Sequence, residues 1–172
     1  IREALKPIFN KWPNAFIDGE NFNPKLRHNL NRLVHLVSVV YKPKDLTPEL
    51  LAESKEIVQL WVFDGHGFGD ITPETPWKQR HAAVKELVKG LDYVHVLDYS
   101  EVNTLEELIA LKTKTKKKKD EGLMVRWGDC PYKSGRSKYM LKLKNFEDAE
   151  FKIVDIQQGK GNWIGCAKRI IL

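Results

Sequence analysis

Two carboxylates two residues apart, an aromatic ring closing an apolar run, a Glu-Gly pair and two lysines two residues apart follow one another along the chain. They are Asp18 and Glu20 in FIDGE, Phe63 in LWVFDGH, Glu121 in DEGLMVR, and Lys142 and Lys144 in YMLKLK. Residues i and i+2 of a strand share a face, so Asp18 goes with Glu20 and Lys142 with Lys144 wherever these segments are extended. Two cations on one face with separate carboxylates gathered nearby is what a nucleoside triphosphate with a divalent metal requires. The ammonium groups neutralise phosphate oxygens, and the carboxylates hold the metal or the ribose. Each residue also has an ordinary alternative. Asp18 and Glu20 could cap a turn, Phe63 could fill a core, Glu121 could end a helix, and paired lysines often keep a solvated strand edge from pairing with another.

The elements that must position these residues are legible in outline. Apolar residues at Ala4, Leu5, Ile8 and Phe9 predict a helix from Arg2 to about Lys11, stopped by Trp12-Pro13. Ala15 to Ile17 predicts a short buried strand that delivers Asp18-Gly19-Glu20. Leu26, Leu30, Leu33, Val37 and Val40 recur at helical spacing. Lys42 to Glu53, with Pro43 and Pro48, reads as a loop, and Ile57 to Asp64 reads as a strand on its β-branched and aromatic content. Gly65 to Pro76 reads as a loop that includes His66. A helix from Trp77 to Lys89 turns Ala83, Val84, Leu87 and Val88 inward, and Tyr93 to Leu97 alternates as a strand. Thr104-Leu105-Glu106-Glu107 has the Thr-x-x-Glu form of a capping box, so a helix starts there and runs into Lys112 to Lys119. DEGLMVR and Tyr139 to Lys144 follow as strands. Counted by alternation, Leu123 and Val125 lie on the side of Glu121, and Met124 on the other. AEFKIVDI and WIGCAKRIIL are β-rich runs joined by a Gln-Gln-Gly-Lys-Gly-Asn hairpin signal. The order of elements predicts an α+β fold with a largely antiparallel sheet.

Composition bounds the rest. The chain has 172 residues, enough for one sizeable core. Its net charge of +6 is regional, concentrated in Lys112 to Lys119 and after Cys130, which favours a polyanionic partner. The apolar runs fall well short of the ~18 residues of a membrane span, so no membrane partner is expected. The two cysteines, Cys130 and Cys166, form no Cys-x-x-Cys pair, and with five scattered histidines they suggest no zinc site. A soluble protein of a reducing compartment is the expectation: cytoplasmic in a bacterial or virus-infected cell, or nuclear, and not secreted.

FIDGE, LWVFDG, DEGLMVR and SKYMLKLK, in this order and at these separations, resemble the nucleotidyltransferase motifs of ATP-dependent DNA ligases. LKNFEDAEFKIVDIQQGKGNWIG resembles that family's passage from the adenylation domain into its oligonucleotide-binding barrel. The resemblance covers nearly the whole chain. It implies an α+β, largely antiparallel nucleotidyltransferase domain of ATP-grasp-like kind over residues 1–146, then the first hairpin of a truncated OB-fold domain over 147–172. It also implies ATP and Mg²⁺ as cofactors, nicked duplex DNA as partner, and a monomer. By the same resemblance Glu20 contacts the ribose or helps hold the metal, and Phe63 stacks on adenine. Glu121 becomes the metal-proximal carboxylate, and Lys142 and Lys144 stabilise phosphate charge as pyrophosphate leaves. Arg126 either tethers its strand or contacts nucleic acid, together with Arg136 and Lys138.

One departure stands against these matches. The family's nucleophile is the lysine of Lys-x-Asp-Gly, yet Asp-Gly occurs here only at Asp18 and Asp64, and the residues two before them are Phe16 and Val62. FIDGE begins at Phe16, so the expectation is the middle of a ligase without its adenylated lysine. A smaller departure is Asp120 with its lysines, where the family often has a Gly-aromatic pair. An RNA ligase, an mRNA-capping guanylyltransferase and a non-catalytic nucleic-acid-binding protein remain as alternatives; the junction LKNFEDAEF favours the DNA enzyme.

Overall fold

The structure is a computed structural model that describes residues 1–42, 44–117, 122–144 and 149–172. Helix α1 (Arg2–Lys11) leads into strand β1 (Phe16–Phe22). Helices α2 (Leu30–Val39) and α3 (Pro48–Ile57) then precede strand β2 (Gln59–His66). Helix α4 (Trp77–Leu87), strand β3 (Val94–Val96) and helix α5 (Leu105–Lys117) follow. The chain ends in two hairpins, β4 (Gly122–Arg126) with β5 (Met140–Lys144), and β6 (Asp155–Gln158) with β7 (Ala167–Ile171).

The fold is α+β, with three small sheets among the described residues in place of one. β1 and β2 are antiparallel, β3 joins β2 in parallel, and the two later hairpins each form an antiparallel pair. One face of the first sheet carries the core: Val62 and Val94 meet Leu5 and Ile8 of α1 and Val84 of α4. Leu33 and Leu36 of α2 meet Val58 in a second cluster.

Local chemistry explains where the elements depart from the sequence reading. Lys42 to Glu53 is not all loop, because α3 begins at Pro48: Thr47 accepts a hydrogen bond from the Leu50 amide at 3.2 Å. Proline in a first turn loses no bond that the helix would otherwise make. The helical run expected from Leu26 divides in two. The Asn23 side chain caps a 3-10 turn at Pro24–Leu26, and the Asn29 side chain accepts from the Arg32 amide at 3.2 Å to start α2 at Leu30. β2 runs through His66, so that residue ends a strand. The capping box is present: Glu107 N–H donates to Thr104 Oγ1 at 3.2 Å, and Glu107 Oε2 accepts from Thr104 N–H at 3.3 Å. β6 begins only at Asp155 and meets β7 across a longer loop than a tight hairpin.

Candidate functional site

Asp64 is a buried carboxylate at the end of β2. Its side chain is 1% exposed, yet all its acceptor directions are used. Arg80 donates Nε–H to Oδ1 and Nη2–H to Oδ2, both at 2.9 Å. Arg126 donates Nη1–H to Oδ2 at 2.6 Å, and the Gly65 amide donates to Oδ1 at 2.8 Å. A bidentate guanidinium fixes both planes and is the strongest neutralising partner a buried carboxylate can have. Asp64 lies on β2, Arg80 on α4 and Arg126 on β4, so this carboxylate ties the first sheet to the β4–β5 hairpin.

The same end of α4 holds the segment after β4. Pro76 provides no side-chain cap, so the first amides of the helix need other acceptors. Trp77 N–H donates to Cys130 O at 3.0 Å and Lys78 N–H to Gly128 O at 2.9 Å. Arg80 Nη1–H donates to Cys130 O at 3.0 Å and also to Thr75 O, while Tyr132 N–H reaches back to Pro73 O at 2.7 Å. Trp77 completes the clasp. Its Nε1–H donates to Phe63 O at 3.2 Å, and the Arg126 guanidinium lies 5.3 Å from its ring centre.

A small pocket of about 70 Å³ opens beside this network, lined by Asp18, Arg126, Tyr132, Lys133, Ser137 and Tyr139 among others. Asp18 is the strand partner of Asp64. Burial raises its pKa above the ordinary aspartate value, and the nearby Asp64 charge adds to the rise, with Arg126 and the Tyr132 hydroxyl partly offsetting it. Burial, followed by the Asp18 charge, pushes the Tyr132 phenol up. His66 stacks on Phe16 at 5.1 Å, with Tyr132 4.7 Å away, and burial lowers its pKa.

The residues singled out in the sequence are distributed around this network. Glu20 is exposed on β1 opposite Trp61, and Phe63 is half-buried on β2 beside Asp64. Arg126 is engaged with Asp64 and only 15% exposed, which makes it a tether of its strand. Lys142 and Lys144 are exposed on β5, paired with Met124 and Gly122. The lysines therefore share a face with Met124 and Arg126, and Leu123 and Val125 share the opposite face with Leu141 and Leu143. The sequence alternation sets Leu123 and Val125 apart from Met124, as the register does. Gly122 has a φ of +150° and its Cβ would collide with Leu143 O, a close approach that only glycine allows. Glu121 itself lies outside the described residues, as do Asn145 and Phe146 at the expected domain junction. Neither Phe63 nor the two lysines lines the small pocket. Arg136 and Lys138 are exposed in the loop between β4 and β5, with Lys138 Nζ 5.2 Å from the Tyr139 ring centre.

The family model described as ATP dependent DNA ligase domain matches residues 1–144. The chain belongs to the ATP-dependent DNA ligase family. It is similar to the DNA ligase of African swine fever virus: 33% identical over 116 residues to that of a Malawi tick isolate, and 36% over 115 residues to that of the Vero-adapted Badajoz strain. Each match covers 63% of this chain and 27% of the viral ligase, so the chain spans about a quarter of the length of these relatives. Among solved structures it resembles a Lig E DNA ligase described as binding DNA with a minimal scaffold. That match has a TM-score of 0.69 at 25% identity and covers 94% of this chain and 59% of the other.

Within this ligase domain, Asp64 and Arg80 are the residues that sequence reasoning passed over. A signal was present: Arg80 lies four residues before Val84 and seven before Leu87, on the face that the helix turns inward. An arginine on an apolar helix face needs a buried anion, and Asp64 is the anion at the end of the adjacent strand. Among the described residues, no group of three or more His, Cys, Asp or Glu side chains could hold a metal, and no helix is long and apolar enough to cross a membrane.

Proposed function

We propose that this chain is the nucleotide-binding core of an ATP-dependent DNA ligase that seals 5′-phosphate/3′-hydroxyl nicks in duplex DNA through enzyme-AMP and DNA-adenylate intermediates. The observation that carries the proposal is the Asp64–Arg126 ion pair, which joins the sheet bearing Glu20 and Phe63 to the hairpin bearing Lys142 and Lys144. In this reading residues 1–146 are the adenylation domain, related to ATP-grasp folds, and 147–172 open an OB-fold. The protein acts as a monomer.

ATP fits the residue types available. Phe63 offers a flat face to adenine, Glu20 reaches the ribose, and Lys142 and Lys144 receive the phosphates. Mg²⁺ typically keeps several waters and binds through one or two carboxylates plus phosphate oxygens. Glu20 with Glu121 suits that role without a dedicated cage. When bound, the metal neutralises phosphate charge as pyrophosphate departs. Arg126 holds β4 against β2, so that the lysine face stays in reach of the carboxylates. Lys133, Arg136 and Lys138 meet the DNA backbone.

The nucleophile would be supplied by a Lys-x-Asp-Gly segment, which is not among these residues. Incubation with labelled ATP and Mg²⁺ should leave the 172-residue chain unlabelled, because phosphoramidate formation requires an amine aligned with the α-phosphate. A polypeptide in which Lys-x-Asp-Gly precedes Ile1 should label and should seal a nicked duplex. Glu121→Ala should abolish that labelling. An acid-labile AMP adduct on the 172-residue chain would overturn this account of the nucleophile. Failure of the extended protein both to label and to seal would overturn the ligase reading.

A further inference from the structure

A second and larger pocket lies away from the Asp64 network, where β1 ends and β2 begins. It has a volume of about 390 Å³ and is lined by Asn23, Lys25, Glu56, Gln59, Trp61 and His95, with neither Phe63 nor Glu20 in its wall. That volume falls in the ~300–1,000 Å³ range of small-molecule sites. We propose that this pocket binds one unpaired nucleotide, its base stacked on Trp61 and its phosphate on Lys25, next to the proposed ATP site but outside it, since Trp61 is the strand partner of Glu20 and neither Glu20 nor Phe63 lines the pocket.

The wall is a fixed aromatic platform. Trp61 Nε1–H donates to Gln59 Oε1 at 3.1 Å, which ties the indole edge to its own strand. Phe22 meets the indole edge-on at 6.0 Å, and His95 tilts over it at 5.0 Å. A half-buried indole held by two rings and a hydrogen bond has little rotamer freedom left to lose when a ligand stacks on it. The rim is equally set. Asn23 is 4% exposed and spends its side chain on both sides of the pocket, donating Nδ2–H to Ile57 O at 2.6 Å and accepting from Lys25 N–H at 2.8 Å. The junction of α3 with β2 is thereby fastened to the turn after β1.

The polar groups select the ligand. Lys25 supplies an ammonium for a phosphate at one side, and Glu56 supplies a carboxylate for ring or exocyclic N–H donors at another. The Gln59 carbonyl is spent on Trp61, which leaves its amide N–H₂ as a donor toward a base carbonyl. A π platform with a cation beside it and both hydrogen-bonding polarities around it matches a nucleobase carrying a phosphate. Stacking of this kind is tolerant of base identity. The nucleotide could be free in solution or the unpaired residue of a single strand, since both present the same ring and phosphate.

Isothermal titration calorimetry on the 172-residue chain separates these sources and keeps the test apart from the ATP reading. The ligands are dTMP, thymidine and a short oligo(dT), thymine being chosen because the proposed ATP site takes adenine. Saturable binding of dTMP is the expected result. Trp61→Leu should weaken it about tenfold or more, by loss of the stacking face, while Trp61→Phe, which keeps a ring, should retain most of it. Lys25→Gln should weaken dTMP severalfold and leave thymidine unchanged. Oligo(dT) binding that depends on Trp61, without measurable dTMP binding, would assign the pocket to a strand and uphold the proposal. If none of the three ligands binds, the proposal is overturned. Binding unaltered by Trp61→Leu, or lost equally on Phe63→Ala, would also overturn it, the latter by merging the pocket with the ATP site. Failure of the ATP reading would show differently, as ATP binding insensitive to Phe63→Ala.

Discussion

Asp64 and Arg80 face each other through two 2.9 Å hydrogen bonds, with both side chains 1% exposed. A buried pair of this kind adds little net stability over an apolar pair of similar shape, but removing one partner strands the other. Arg80→Met should therefore cost about 3–5 kcal/mol in denaturant unfolding, because it also leaves the Cys130 carbonyl without this donor. The double variant Asp64→Leu/Arg80→Met should recover part of that loss. A cost for Arg80→Met no larger than that of an exposed arginine would contradict the buried-network reading.

Asp18 gives a pH dependence with a definite sign. Its folded pKa is raised, first by burial and then by the Asp64 charge, so the folded state holds the proton more tightly than the unfolded chain. The stability this group contributes is present below the unfolded aspartate value and is lost as pH rises through the folded value. Asp18→Asn should thus be stabilising relative to the parent at pH 7, and the difference should shrink in acid. Thermal melts of the two proteins across that range test this, and a gap that widens in acid would reverse the sign.

Duplex binding should be strongly salt-dependent, because Lys133, Arg136 and Lys138 are exposed in one loop beside Arg126. Each phosphate contact contributes roughly 0.9 to the slope of log affinity against log salt. Arg136→Ser with Lys138→Ser should flatten the slope measured on nicked duplex by about twice that amount. An unchanged slope would assign these residues to solvent only.

The capping box at Thr104 and Glu107 sets the start of α5. Thr104→Ala should cost about 1 kcal/mol of stability, and Thr104→Ser should restore most of it. Circular dichroism on thermal unfolding reads both, and equal melting of all three proteins would show that the cap is not limiting.

Sequence alone determined what depends on near neighbours. The helix over Arg2–Lys11, the β-rich content around Phe63, the capping box and the pairing of Lys142 with Lys144 on one strand face all follow from spacings of two to four residues. Periodicity and side-chain capping act at that range. Motif order along the chain also carried the family, since FIDGE, LWVFDG, DEGLMVR and SKYMLKLK are local words. Helix α3 was missed because Pro48 looked like a loop marker, and only the Thr47 cap in front of it turns it into a helix start. Tertiary structure alone decided which charges meet: Asp64 and Arg80 are 16 residues apart, and Asp64 and Arg126 are 62 apart. No local pattern links them, because their pairing depends on α4 packing against β2 and on the loop after β4 supplying acceptors to the bare first turn of α4. The lysine face was likewise settled by cross-strand register. That register, with Lys142 opposite Met124 and Lys144 opposite Gly122, comes from pairing between strands and not from spacing within one.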